Sequence, residues 1–220
     1  MVPRIVVFRH EPDEPLGYCE TILAEHSIPF EYIDLFDTNE IPRTGPSTHL
    51  IFLGGKMSVN DEEEFPYLRS EKELIRRSQK TGQKVLGICL GAQLIASAYS
   101  APVFRYVNET GWHMVHRNED AMGIVAQFPD QFPVFQIHND TFAIPYGGRL
   151  LAYGTAVRNQ AFSCKNALGL QFHLEMTSEI IQDWSKTFRR YQQVQIARDT
   201  PRFIRESNRL CRMVIEDFIR

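Results

Sequence analysis

Three short segments carry residue types that can act together in nucleophilic catalysis, and the first is GICLGAQ (87–93), which places Cys89 between two glycines directly after an apolar run. A strand that turns sharply into a helix exposes one side chain at the bend, and the residues two before and two after it must be small. Gly87 and Gly91 occupy these positions, and the N-terminus of the following helix would stabilise negative charge on the sulfur. The pattern predicts a cysteine nucleophile; the alternative is a core cysteine beside glycines that pack a helix on a sheet.

The segment GLQFHLEMT (169–177) contains a candidate base for this nucleophile. Its apolar run ends at His173, and Glu175 follows two residues later. A histidine can take the proton of a thiol, and a carboxylate folded back onto the ring would fix the tautomer and stabilise the charged form. Taken alone, a surface His-x-Glu at the end of a strand is the more ordinary explanation of this pattern.

The third segment, LIFLGG (50–55), offers hydrogen-bond donors. An apolar run ends at Gly54 and Gly55, whose N–H groups no side chain covers. Acyl transfer needs donors directed at the developing oxyanion. A glycine N–H together with that of Leu90, the residue after the nucleophile, would supply two, although an ordinary Gly-Gly turn has the same sequence.

The first hundred residues alternate between apolar runs and helix-like stretches. Strands are predicted at 4–8, 30–33, 49–53 and 85–88, and helices at 14–25, 66–80 and 90–99. This order predicts an α/β fold with a parallel sheet and helices on both faces. Ligands collect outside the carboxyl ends of the strands in such a sheet, so the three segments can meet there.

The pattern then changes to short apolar runs between Gly, Pro and Asn turns. Mixed or antiparallel strands are predicted at 103–107, 123–126, 134–137, 150–154 and 167–172. Helical spacing returns from about residue 178, and a last helix is predicted from Pro201 to the end. Because the sequence contains no internal repeat or low-complexity linker, residues 1–220 are expected to form a single domain.

Composition narrows the classes of function. The net charge of −3 gives no electrostatic basis for binding nucleic acid or an anionic membrane, and no apolar run approaches the roughly 18 residues of a membrane span. We therefore expect a cytoplasmic protein without nucleic-acid or membrane partners. The four cysteines form no C-x-x-C pair and are expected to be free thiols. His10, His113 and His116 lack further ligands at metal-binding spacing, so no metal site is expected.

Taken together, these segments resemble the class I, triad-type glutamine amidotransferases, and in particular the stand-alone proteins similar to the glutaminase domain of GMP synthase. The matching stretches are LIFLGGKMSVND (50–61), KVLGICLGAQLIA (84–96), ETGWHMV (109–115), IHNDTFAIP (137–145), NQAF (159–162) and GLQFHLEMT (169–177). The resemblance covers roughly residues 45–180. It implies an open, mostly parallel, flavodoxin-like sheet flanked by helices, and no cofactor.

The resemblance also implies a role for each reacting group. Cys89 would be the nucleophile, and His173 would be the general base and acid. Glu175 would orient His173. The backbone N–H groups of Gly55 and Leu90 would form the oxyanion hole.

Substrate-binding residues follow from the same resemblance. Gln93 matches a glutamine that helps to hold the substrate glutamine. His138 and Asp140 match the loop that closes over the α-amino and α-carboxylate groups of the substrate. Two positions differ from many relatives, which have proline where this chain has Lys56 and Leu174.

The implied reaction is cysteine-dependent hydrolysis of the γ-amide of glutamine, or of a related γ-glutamyl compound, through a glutamyl thioester. The ammonia could pass to a separate synthase. Two alternatives remain open: a self-contained γ-glutamyl peptidase or hydrolase, and a non-catalytic binding module on the same fold.

Overall fold

In the computed structural model, which describes residues 3–220, the strands form one nine-stranded sheet. In chain order they are β1 (Arg4–Arg9), β2 (Phe30–Asp34), β3 (Thr48–Phe52), β4 (Val85–Ile88), β5 (Val103–Arg117), β6 (Gln131–Phe142), β7 (Arg149–Tyr153), β8 (Asn159–Cys164) and β9 (Ala167–Leu170). Their order across the sheet is β2-β1-β3-β4-β9-β8-β7-β5-β6. The last strand in the chain, β9, therefore lies in the middle of the sheet, next to β4.

The two halves of the sheet differ in strand direction. Strands β1 to β4 pair in parallel, and β9 joins β4 in parallel as well. Every pairing from β9 outward to β6 is antiparallel. The expectation of a mostly parallel sheet is therefore wrong, and the sheet is mixed. The physical reason is that the links from β7 to β8 and from β8 to β9 are short turns, whereas a parallel pair needs a long crossover.

Helices cover both faces of the sheet. They are α1 (Tyr18–Glu25), α2 (Tyr67–Thr81), α3 (Leu90–Ala98), α4 (Ser178–Ser185) and α5 (Arg190–Phe218). Val7 of β1 is buried in the cluster with side chains of α1 and α5, and its neighbour Phe8 is buried in the cluster with those of α2 and α3. Since successive residues of a strand face opposite sides, a nearly continuous apolar strand fills two cores at once.

The helix predicted at 66–80 is confirmed as α2. Leu68 and Leu74 are buried, while most of its charged residues face solvent. The helix ends at Gly82, whose φ of 74° is the left-handed conformation that glycine adopts at low cost. The first helix begins later than the predicted residue 14, because Gly17 with its φ of 56° precedes α1.

The C-terminal helices differ most from prediction. The expected start of the last helix at Pro201 is wrong, since α5 begins at Arg190 and contains Pro201 in its interior. A proline inside a helix costs about 3 kcal/mol. Apolar contacts on both sides of Pro201 offset this cost: Ile196 packs with Phe135, and Leu210 lies in the sheet core. Within residues 3–220, no helix has the length and apolar character that crossing a membrane requires.

Two shorter elements were also mispredicted. Residues 123–126, expected to be a strand, lie in the 3₁₀ helix Gly123–Gln127, and strand β8 was not predicted. Short apolar runs do not distinguish a strand from a buried helical turn, because both bury one or two side chains. Val125 is the buried side chain of this helical turn and packs in the core.

Candidate active site

Cys89 lies at the turn between β4 and α3, at the carboxyl ends of the parallel strands. Its φ of 53° and ψ of −105° form a conformation that a residue with a side chain seldom adopts. The Cys89 N–H donates to the carbonyl oxygen of Leu170 at 2.8 Å, which holds the turn against β9. The strand, sharp turn and helix predicted around GICLGAQ are therefore present, and the Cys89 side chain lines a cavity.

Close backbone approach explains the two glycines that flank Cys89. A Cβ atom on Gly91 would lie 2.0 Å from the carbonyl oxygen of Phe52, and one on Gly87 would lie 2.3 Å from that of Gly91. Both oxygens belong to the backbone and cannot move aside as a flexible side chain can. The turn thus requires glycine at these positions for steric reasons.

We expect Gly91→Ala to lower the free energy of unfolding by about 2 kcal/mol or more, because the methyl group must displace α3 from β3. Urea denaturation followed by circular dichroism measures the change. Gly45→Ala is the matched control, since a Cβ atom at Gly45 meets nothing within 4 Å and should alter the stability by less than about 0.5 kcal/mol. Equal effects of the two substitutions would contradict the steric explanation.

His173 and Glu175 follow β9 and form a hydrogen-bonded pair. His173 Nδ1 donates to Glu175 Oε1 at 2.5 Å, so the carboxylate folds back onto the ring. Burial of the ring disfavours its charged form, but the Glu175 carboxylate and the Cys89 sulfur outweigh burial and raise the pKa of His173 well above its usual value. His173 Nε2 is buried and has no hydrogen-bond partner among residues 3–220. It is therefore free for proton exchange at the cavity that Cys89 also lines.

Three other elements fix the position of this pair. The backbone of His173 pairs with Phe135 of β6, with N–H···O distances of 2.9 and 3.3 Å. The indole of Trp184 from α4 meets the His173 ring edge-on, with 5.4 Å between centroids. Tyr18, the first residue of α1, donates its N–H to the carbonyl oxygen of Glu175 at 2.7 Å. The orientation of the imidazole thus depends on contacts from β6, α4 and α1.

The two predicted oxyanion donors have free backbone N–H groups. Neither the Gly55 N–H nor the Leu90 N–H has an acceptor within the described residues. Leu90 is the first residue of α3, where a helix leaves its N–H groups unpaired. Gly55 follows β3 and lines the same cavity as Cys89. Free donors at these two positions suit a developing oxyanion.

Gln93 lies in the first turn of α3, and its side chain lines the cavity. Its Nε2 donates to the Asp140 carbonyl oxygen at 3.2 Å and to Gln171 Oε1 at 3.3 Å. Gln171 in turn directs its Nε2 at the Cys89 sulfur, 3.8 Å away. Sequence reasoning did not single out Gln171, because it lies within the apolar run that leads to the predicted base.

His138 and Asp140 are not in a loop, as the resemblance implied, but inside strand β6. His138 is buried, and its Nε2 lies 3.1 Å from Glu109 Oε2. Asp140 Oδ2 accepts a hydrogen bond from Ser58 Oγ at 3.0 Å. Both residues line the cavity, because β6 passes beside Cys89, whose sulfur lies 3.8 Å from the carbonyl oxygen of Ile137.

Sequence reasoning also missed Glu14, in the loop between β1 and α1. Its Oε2 lies 2.2 Å from the point where a Cβ atom on Gly54 would be, so the Glu14 carboxylate packs directly against the strand end at Gly54. Burial raises the pKa of Glu14 to about 7, even though the nearby charges of His173 and His10 favour its ionised form. A lone acidic residue in a loop gives no sequence signal; only the folded chain brings this carboxyl group to the cavity.

We expect Glu14→Gln to stabilise the protein at pH 8 by about 1–3 kcal/mol and to have little effect near pH 4.5. The pKa of Glu14 is raised in the folded state, so the wild type loses stability as the pH rises from about 4.5 to about 7, and glutamine removes this loss. Urea denaturation at both pH values measures the difference. Asp13→Asn is the control, because the Asp13 side chain is 60% exposed, and its effect should be small at either pH. A stabilisation by Glu14→Gln that does not depend on pH would contradict this expectation.

These side chains surround a cavity of about 870 Å³. Its walls include Cys89, His173, Gly55, Gln93, His138 and Asp140. A sheet of this kind, with Cys89, His173 and Glu175 just beyond its strand ends, fits the family of class I glutamine amidotransferases. The chain belongs to this family: the model of the family described as Glutamine amidotransferase class-I matches residues 23–187.

Individual proteins agree with the family assignment. The chain is 31% identical over 140 residues to the glutamine amidotransferase-like protein YfeJ of Salmonella typhimurium, an alignment that covers 60% of this chain and 59% of YfeJ. It is 36% identical over 132 residues to a glutamine-hydrolyzing GMP synthase subunit of Saccharolobus solfataricus, covering 58% and 66% of the two chains. The crystal structure of a glutamine amidotransferase from Thermotoga maritima superposes with a TM-score of 0.91 at 30% identity, covering 100% of this chain and 99% of that one. The resemblance inferred from the sequence is confirmed at the level of the family.

Proposed function

We propose that this chain hydrolyses the γ-amide of glutamine, or of a related γ-glutamyl compound, through a glutamyl thioester on Cys89. The observation that carries the proposal is that Cys89 and His173 line one cavity while Glu175 holds the His173 ring. Family membership supports the same chemistry, since relatives carry names of glutamine-hydrolysing enzymes.

The reaction begins when the Cys89 sulfur attacks the amide carbon and its proton passes to His173 Nε2. The amide oxygen becomes an oxyanion that the Gly55 and Leu90 N–H groups stabilise. His173 returns the proton to the departing nitrogen, the C–N bond breaks, and the thioester remains. A water molecule then gives a proton to His173 and attacks the thioester, which releases glutamate and restores the thiol. Glu175 stabilises the charged imidazole in both halves of the reaction.

The destination of the nitrogen distinguishes two versions of this function. In the first, the chain is a glutaminase that passes ammonia to a separate synthase; relatives named as glutamine-hydrolyzing GMP synthase subunits favour this version. In the second, the chain is a self-contained γ-glutamyl hydrolase. The cavity of about 870 Å³ favours the second version, because pockets of this size hold ligands much larger than an amino acid.

The test is to assay the purified chain on glutamine and on γ-glutamyl peptides, with EDTA and without nucleotide, by measuring released glutamate. The Cys89→Ser variant provides the blank. Efficient cleavage of peptides supports the self-contained hydrolase, whereas weak glutaminase activity that rises when the ATP-binding component of a GMP synthase is added supports the synthase-coupled version. If no γ-glutamyl compound is cleaved and Cys89 does not react with electrophiles, the chain is a non-catalytic binding module and the proposal fails.

A further inference from the structure

His10 is buried at the end of β1, and the reaction described above does not use it. Its Nδ1 lies 2.9 Å from the carbonyl oxygen of Gly54, and its Nε2 lies 3.0 Å from Oε1 of Glu71 on α2. A carbonyl oxygen can only accept a hydrogen bond, so Nδ1 carries a proton and donates it. A carboxylate at the other ring nitrogen also accepts, which pairs a doubly protonated His10 with Glu71.

The surroundings of His10 agree with this protonation. The side chains of His10 and Glu71 are both completely buried. Burial disfavours the charged ring, but the Glu71 carboxylate and the Gly54 carbonyl outweigh burial and raise the pKa of His10. A buried charge needs a partner of this kind, because an unpaired one is strongly destabilising.

The carbonyl group that His10 holds belongs to the same peptide unit as the Gly55 N–H. No peptide bond within residues 3–220 is cis, so the C=O and N–H of this unit point in opposite directions. With the Gly54 oxygen held toward His10, the Gly55 N–H points away from His10. Rotating this peptide would break the hydrogen bond from His10 and leave a buried donor unpaired. The pair thus opposes a rotation that two glycines would otherwise allow at low cost.

We propose that His10 and Glu71 position the Gly54–Gly55 peptide so that the Gly55 N–H donates to the oxyanion formed during cleavage of the γ-amide. This inference rests on the proposed function and adds two positioning residues to it. Neither residue touches the substrate. They act through the peptide: the end of β1 supplies the donor, the end of β3 supplies the peptide, and α2 supplies the buried carboxylate.

The test distinguishes the hydrogen bond made by Nδ1 of His10 from the one made by Nε2. An asparagine amide nitrogen takes the place of Nδ1 and can still donate to Gly54, whereas a glutamine amide takes the place of Nε2 and cannot. Both substitutions are made with Glu71→Gln, so that neither leaves an unpaired buried carboxylate. We expect kcat for γ-glutamyl-p-nitroanilide to be about 100-fold higher in His10→Asn/Glu71→Gln than in His10→Gln/Glu71→Gln. The KM values should agree within about threefold, because the lost contact acts in the transition state.

Two further measurements exclude a merely structural role. Alkylation of Cys89 by iodoacetamide, which forms no oxyanion, should proceed at the same rate in both double variants. If either double variant does not fold, ¹⁵N chemical shifts of the His10 ring in the wild type decide: a proton on Nδ1 is expected, and its absence overturns the inference. Equal kcat values in two folded double variants overturn the inference alone. Absence of turnover in the wild type overturns both the proposed function and this inference.

Discussion

Cys89→Ser is expected to lower kcat for γ-glutamyl cleavage by about 10⁵-fold or more. The hydroxyl group is a far weaker nucleophile than the thiolate, and the turn at Cys89 places its buried side chain against the cavity without making a serine there more reactive. Steady-state assays with released glutamate measure the rate. A diazo-ketone analogue of glutamine provides a second measurement: mass spectrometry should find it on Cys89 in the wild type and nowhere in the variant.

The other three cysteines provide the control. Cys19, Cys164 and Cys211 are free and buried, and none of them lines the cavity. Cys164→Ala should therefore retain kcat within about twofold and should still be labelled at Cys89. Labelling of Cys19, Cys164 or Cys211 in the wild type, or a Cys89→Ser variant with a tenth of the wild-type rate, would refute the assignment of the nucleophile.

His173→Ala and Glu175→Gln should both reduce kcat, but to different extents. In the proposed reaction His173 moves a proton in each half, so its loss is expected to lower kcat on the order of 10⁵-fold. Glu175 only orients and stabilises His173 through the 2.5 Å hydrogen bond, so Glu175→Gln should retain at least about tenfold more activity than His173→Ala. The rates are compared on protein whose folding has been verified by circular dichroism.

A matched control for the histidine variant is His26→Gln, because His26 lies on the surface far along the chain from the catalytic segments. It should retain kcat within about twofold. Near-wild-type rates for both His173→Ala and Glu175→Gln would mean that another group is the base. His138 would then be the next candidate, since it lines the same cavity.

The local structure around Cys89 and the pairing of His173 with Glu175 were predictable from the sequence, because both depend on local geometry. A cysteine flanked by small residues between a strand and a helix specifies its own sharp turn, and the steric contacts of Gly87 and Gly91 show why no other residue fits. The pairing of His173 with Glu175 also spans only two residues. Interactions of this kind involve neighbouring residues, so their sequence pattern carries the information directly.

The sequence alone thus determined the sharp turn at Cys89, the neighbouring His173 and Glu175, the family and the parallel half of the sheet, because each depends on short-range patterns. Only the tertiary structure decided the antiparallel half, the path of α5 through Pro201, and the meeting of Glu14 and His10 with the strand end at Gly54. These features depend on contacts between residues far apart in the chain. His10 and Glu71 are separated by 61 positions, and neither has a local pattern that distinguishes it from a surface residue. Burying a charged or polar group costs free energy unless the folded chain brings it a hydrogen-bonding or charged partner. Such partners have no fixed spacing in the sequence, so a sequence pattern does not reveal them.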